Sequence, residues 1–252
     1  MRKTIIAGNW KMNNNLTESI TLLSDILKKF KPSDSIDVII CPPFTFLETA
    51  NALLKDSKIK LGAQNVHFED SGAFTGEISA KMLLSVGCEY VIIGHSERRA
   101  LFSETNSTIN KKIHRSLFSN LKVIFCVGET IEEREKDLTN DVIKKQITEG
   151  LKNIQENDFQ NIIIAYEPVW AIGTGKTATL QQAQSVHRFI RELIAELYSN
   201  TSAQKLIIQY GGSVKPENSR ELLKEEDIDG ALIGGACLKA DSFIEIINSV
   251  SI

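Results

Sequence analysis

The stretch Asn161-Ile162-Ile163-Ile164-Ala165-Tyr166-Glu167-Pro168 is a short apolar run that ends in a carboxylate. Isoleucines dominate it without polar alternation, so it reads as a strand buried on both faces, the kind found in parallel sheets covered by helices. Pro168 fixes its own φ and pushes Glu167 toward extended geometry, which aims the carboxylate out of the strand's carboxyl end. On its own, a glutamate in that place is most often a solvated side chain. The loop that follows, Val169-Trp170-Ala171-Ile172-Gly173-Thr174-Gly175-Lys176-Thr177, is apolar in its middle. Each large side chain left in water there forfeits about 1.5–3 kcal/mol, so 168–177 reads as a lid that closes onto something, with Pro168 as a stiff hinge. Gly175-Lys176-Thr177 imitates the end of a P-loop, but that motif needs a glycine where this chain has Trp170.

Similar apolar runs recur at 4–8, 37–41, 60–64, 90–94, 122–127, 206–210 and 230–233. Between them lie segments with apolar positions at helical spacing, such as 16–30, 105–119, 142–154 and 180–198. Strand and helix alternate throughout, which implies parallel strands joined by right-handed crossovers. With the first run this makes eight units in 252 residues, the pattern of an α/β fold of the (β/α)₈ barrel type, a closed parallel sheet ringed by helices. A doubly wound open sheet is the alternative. No linker or shift of composition divides the chain, so 1–252 reads as one domain. The longest turn-like insertion, 65–77, carries Phe68 and Phe74, which need a place to bury.

A net charge of −3 spread along the chain gives no basic face for nucleic acid or an anionic membrane. No segment approaches membrane-spanning length, and the apolar stretch after Lys3 is too short for a secretory signal. Cys41, Cys88, Cys126 and Cys237 lack C-x-x-C spacing and read as buried reduced thiols of a cytoplasmic protein. Glu132-Glu133-Arg134-Glu135-Lys136-Asp137 reads as a solvated helical face. His67, His114 and His187 read as structural or surface residues.

In such a barrel the carboxyl ends of the strands converge on one face whatever their separation in sequence. Strand one delivers Asn9 and Lys11, strand four His95 and Glu97, strand six Glu167. Strands seven and eight deliver Gly211-Gly212-Ser213 and Gly234-Gly235. Taken singly, each has an ordinary structural explanation. Together they hold a candidate base, two electrophiles and backbone N–H groups that can cradle a phosphate, to which Gly173 of the lid could add another.

From end to end, the blocks Ala7-Gly8-Asn9-Trp10-Lys11-Met12-Asn13, Gly72-Ala73-Phe74-Thr75-Gly76-Glu77, Ile93-Gly94-His95-Ser96-Glu97-Arg98-Arg99, Cys126-Val127-Gly128-Glu129, 165–176, Tyr210-Gly211-Gly212-Ser213-Val214 and Gly234-Gly235-Ala236 resemble the triosephosphate isomerase family. The departures, Asn13-Asn14-Asn15 where a glycine is common and Cys237 where a serine is common, lie outside the inferred site. The resemblance implies interconversion of dihydroxyacetone phosphate and D-glyceraldehyde 3-phosphate, a step of glycolysis and gluconeogenesis, with no cofactor and no metal. It implies Glu167 as general base, His95 as neutral electrophile and Lys11 as fixed positive charge. Asn9, Gly173, Ser213, Gly234 and Gly235 would contact substrate, and Glu97 would orient Lys11. It further implies a homodimer in which 65–77 enters the partner, with Thr75 near the partner's Lys11 and the partner's Glu97. Two other readings are a catalytically silent phospho-ligand-binding barrel and a Schiff-base barrel aldolase acting through Lys11. The first is favoured by loss of base or electrophile, the second by a desolvated lysine of lowered pKa.

Overall fold

The computed structural model describes residues 2–173 and 177–251. Its strands are β1 (Thr4–Asn9), β2 (Ile36–Cys41), β3 (Lys60–Ala63), β4 (Tyr90–Ile93), β5 (Lys122–Val127), β6 (Ile162–Tyr166), β7 (Ile207–Tyr210) and β8 (Gly230–Ile233). They pair in chain order, all parallel, and β8 pairs back onto β1 to close the barrel. Each strand anticipated from sequence is present to within a residue at either end. The helices are α1 (Leu16–Lys29), α2 (Leu47–Leu54), α3 (Ala80–Ser85), α4 (Ser96–Leu101), α5 (Asn106–Phe118), α6 (Ile131–Glu135), α7 (Thr139–Gly150), α8 (Leu180–Leu197), α9 (Asn200–Lys205), α10 (Pro216–Leu222) and α11 (Ala240–Asn248).

Alternate strand residues face opposite sides, so the sheet has two apolar layers. Ile5, Ala7, Ile39, Cys41, Ile92, Ile124, Ile163 and Ala165 fill the barrel interior. Ile6, Val38, Val91, Val123, Ile164 and Ile208 pack outward against the helices. This double burial is why the strands read as near-continuous apolar runs. The four cysteines are free and buried.

The segment expected to be helical over 142–154 is instead helical over Thr139–Gly150. Asp137 and Asn153 have φ of 56° and 62°, which a right-handed helix does not accommodate, and they bracket it. Leu151 and Ile154 are buried beyond its end, so the apolar spacing continues after the helix has stopped. Asn13-Asn14-Asn15 has a local explanation. Asn13 Nδ2 donates to the Trp10 carbonyl at 2.7 Å, Asn14 adopts φ 68°, and Asn15 caps α1 in a reciprocal bond with Glu18. Asparagine tolerates the left-handed region where glycine would also serve.

Below the sheet, α8 presents two buried polar residues. Arg191 Nε donates to Asp227 Oδ1 at 2.6 Å and Nη2 to Asp229 Oδ2 at 2.7 Å. His187 is fully buried, its Nδ1 lying 3.2 Å from the Asp227 carbonyl. Burial and the Arg191 charge hold the His187 pKa down at about 3, the carbonyl opposing them. The unfolded chain therefore binds a proton below about pH 6.5 that the folded chain refuses down to about pH 3. Across that window stability falls with pH by about 1.4 kcal/mol per unit from this group. Urea titrations at pH 7, 6 and 5 test it: the parent should lose that increment relative to His187→Asn, and parallel curves would refute the assignment.

Candidate active site

All of the candidate residues at the strand exits lie at the carboxyl end of the barrel. The cavity there, about 460 Å³, is lined by Asn9, Lys11, His95, Glu167 and the glycine-rich turns after β7 and β8. Asn9, the last residue of β1, is buried, and its Oδ1 accepts the Lys11 N–H at 3.0 Å. Lys11 takes φ 54°, a conformation costing about 1–3 kcal/mol for a residue with a Cβ. Its carbonyl accepts from Gln64 Nε2 at 2.9 Å, so the strained turn is held from both sides. Lys11 Nζ lies 2.7 Å from Glu97 Oε1, the pairing expected of these two residues.

His95 caps α4, and the Glu97 N–H donates to His95 Nδ1 at 3.2 Å. A nitrogen that accepts has no proton, so the neutral ring carries its hydrogen on Nε2, 3.0 Å from Glu167 Oε1. Burial works against charge on the imidazole, the adjoining Glu167 carboxylate works for it, and the net direction is upward while the two touch. Burial likewise works to raise the Glu167 pKa, but His95, the Ser96 N–H and Lys11 outweigh it and hold the carboxyl below its ordinary value. Glu167 is thus ionised at neutral pH although only 2% exposed.

Ser96 was not singled out in the sequence, yet it holds the candidate base: its N–H donates to Glu167 Oε2 at 2.9 Å and its Oγ to Oε1 at 3.3 Å. The legible signal was its place at the first position of a helix, where the N–H is free to donate outward. Glu129 was also missed. Its Oε1 accepts from Arg134 at 2.9 Å, Tyr166 Oη at 3.1 Å and the Trp170 indole at 2.9 Å. The reading of 132–137 as a solvated helical face holds for Glu132, Glu135, Lys136 and Asp137, which are exposed, but Arg134 turns inward to Glu129, its guanidinium 5.1 Å from the Trp170 ring centroid. Val169, Trp170 and Ala171 form a short 3₁₀ turn, with the Val169 N–H on the Glu129 carbonyl at 3.1 Å. The first half of the apolar loop is therefore packed against the β5 exit. Residues 174–176, which belong to the loop read as a lid and to the P-loop imitation, lie outside the described residues.

Two glycines make room for the base. A Cβ on Gly128 would meet the Glu167 carbonyl oxygen at 1.7 Å, and one on Gly211 would meet Glu167 Cγ at 2.9 Å. Gly128→Ala should displace the Glu167 backbone and lower kcat on the order of 10²-fold, the penalty for misplacing a reacting group by about an ångström. Steady-state kinetics on the folded variant decide this, parental turnover being the contrary result. On the opposite wall, a Cβ on Gly173 or Gly235 would meet nothing within 4 Å, so these peptides face open space. Ser213 and Gly234 line the same wall. Backbone N–H groups without side chains in front of them suit a phosphate. Thr75 lies away from this cavity, exposed on the 65–77 loop.

A family model described as triosephosphate isomerase matches residues 4–250. A triosephosphate isomerase of Alkaliphilus metalliredigens is 56% identical over 248 residues, covering 98% of this chain and all of that protein. Proteins of the same name from Geotalea uraniireducens and Carboxydothermus hydrogenoformans are 49% and 52% identical over 247 residues, covering 98% of each chain.

Proposed function

The chain belongs to the triosephosphate isomerase family, and from that premise we propose that it interconverts dihydroxyacetone phosphate and D-glyceraldehyde 3-phosphate through an enediolate. The observation that carries the reading is the contact of an ionised, buried Glu167 with the Nε2–H of His95 at 3.0 Å, on the floor of a cavity whose other wall is glycine-rich backbone.

The hard step is removal of a proton from carbon. A phosphate seated on the Ser213 and Gly234-Gly235 turns, with Gly173 adding its peptide, places the carbonyl and hydroxyl carbons between His95 and Lys11. Glu167 leaves Ser96 and takes the proton from one carbon, then returns it to the next, so a single carboxylate serves as base and conjugate acid. Leaving Ser96 and His95 removes two of the contacts that depress its pKa, which strengthens the base at the moment of use. The same departure strips from His95 its supporting carboxylate. Burial and Lys11 then lower its proton affinity, and the neutral imidazole donates Nε2–H to the developing oxyanion, the role the family assigns to this histidine. Lys11, held by Glu97, adds a fixed charge that counts for more in a water-poor site. Asn9 positions Lys11 through its backbone.

The proposal is tested by incubating the protein with dihydroxyacetone phosphate in deuterated water and following both glyceraldehyde 3-phosphate and deuterium at the reacting carbon by NMR. Appearance of both supports it, and absence of both defeats it. The aldolase reading is disfavoured by the Lys11–Glu97 pair at 2.7 Å, which engages the amine; borohydride trapping of substrate on Lys11 would revive it.

We also infer a homodimer working in the cytoplasm, as a single-domain subunit. Phe74 stays 42% exposed although its ring packs 4.4 Å from His67; Thr75 beside it and Met12 after β1 are exposed as well. A second subunit would cover them and bring Thr75 to the partner's Lys11. Sedimentation should give twice the chain mass; a stable, fully active monomer contradicts the inference.

A further inference from the structure

Behind the His95–Glu167 pair lies a cation for which the mechanism above has no use. Arg99, on α4, folds its guanidinium back under the strand exits. Nε donates to the Gly94 carbonyl at 2.8 Å, Nη2 to the Cys126 carbonyl at 3.0 Å and Nη1 to Asn106 Oδ1 at 2.6 Å. Asn106, the first residue of α5, is itself tied to Glu149 Oε2 at 2.8 Å. A side chain on Gly94 would crowd this fork, its Cβ falling 3.2 Å from Nη2.

The two carbonyls are well placed to matter. Gly94 immediately precedes His95. Cys126 immediately precedes Val127, whose carbonyl accepts the Glu167 N–H at 2.7 Å. One planar group thus spans the exits of β4 and β5 that carry the electrophile and register the base. Carbonyls and an amide oxygen solvate its charge, and among the described residues no carboxylate forms an ion pair with it. A guanidinium suits such a fork as no ammonium does.

We infer that Arg99 is a positioning residue for the isomerisation: its fork sets the spacing of His95 and Glu167, and its charge, which pairs with no carboxylate among the described residues, acts on the Glu167 carboxylate in front of it. The inference rests on the isomerase reading of this site. The groups acting on the Glu167 carboxylate are His95 with the Ser96 N–H at the β4 exit, Lys11 from β1, the Cys126 thiol from β5 and Arg99 from α4. Glu97 lies beyond the imidazole and is taken up by Lys11. Glu104 is the other acid within reach of the Arg99 charge, and it is bound to Lys112.

Two variants separate fork from charge. Arg99→Lys keeps the charge and loses the fork; Arg99→Gln loses both. Arg99→Gln should lower kcat on the order of 10²-fold with KM for glyceraldehyde 3-phosphate changed by less than about threefold. Its Glu167 carboxyl ¹³C resonance, assigned by its loss in Glu167→Gln, should titrate at higher pH than in the parent. Arg99→Lys should lose about tenfold in kcat and leave that titration in place. Parental kcat per folded molecule in both variants, or an unmoved titration in Arg99→Gln, overturns the inference. Should Arg99→Gln not fold, parental kcat in Arg99→Lys overturns it alone. A parent protein inert toward both triose phosphates would defeat the isomerase reading instead, while the carboxyl titration would still report on Arg99.

Discussion

Replacing Glu167 by Gln should lower kcat by about 10²–10⁴-fold, the span attributable to a positioned general base, and leave KM and inhibition by inorganic phosphate nearly unchanged. The shape of the side chain is kept, and the amide oxygen can still accept the Ser96 N–H that now binds Glu167 Oε2 at 2.9 Å. What disappears is a group able to hold a carbon-derived proton. The cavity wall proposed to hold phosphate, around Ser213 and Gly234-Gly235, is untouched, which is why binding and turnover should separate. Glu167→Asp retains the base but withdraws it by one methylene, and a loss on the order of 10²-fold is expected. Solvent-deuterium exchange should fall in step with kcat, because in the proposed mechanism one carboxylate performs both transfers. Near-parental turnover in Glu167→Gln would remove Glu167 from the chemistry.

Replacing Arg191 by Met should destabilise the fold by about 3–5 kcal/mol, because it strands buried charge rather than because the ion pair is strong in itself. Besides the two aspartates, Arg191 donates to the carbonyls of Ala203, Leu206 and Asp227 at 2.7, 3.0 and 3.2 Å. Asp229 also receives Arg2 and the Ile208 N–H, so it retains some support, whereas the Asp227 carboxylate keeps, among the described residues, only the Gln184 amide. Lysine cannot reproduce the fork and should recover a minority of the loss. The group lies on α8 near the amino-terminal ends of the strands, so kcat of the molecules that remain folded should not change. Urea unfolding at fixed protein concentration reads the difference, and a loss below about 1 kcal/mol would show that Arg191 does not hold the aspartates in place.

The barrel was legible because double burial leaves its mark on every strand: Ile162-Ile163-Ile164 has no polar residue to alternate with, and seven other runs resemble it. Helix limits were harder to read. Leu151 and Ile154 keep helical spacing after α7 has stopped, because the turn buries them for its own reasons. Among site residues, Glu167, His95 and Lys11 declared themselves by side-chain chemistry at strand ends. Ser96 did not, since it acts mainly through a peptide N–H that any residue would supply. Glu129 and Arg134 were hidden for another reason: an acid and a base five positions apart near a helix start look solvent-facing, and the indole of Trp170 with the Tyr166 hydroxyl makes them an inward cluster.

Closure of the sheet by β1 and β8, where Ile5 pairs with Gly230, has a consequence for biosynthesis. A chain emerging from the ribosome makes β1 more than two hundred residues before β8, its closing neighbour. Until then β1 and whichever strand came last present bare edges able to recruit other chains. Nascent lengths that end before β8 should therefore aggregate or be held by chaperones. Emergence of β8 should be the event that closes the barrel and makes it resistant to protease.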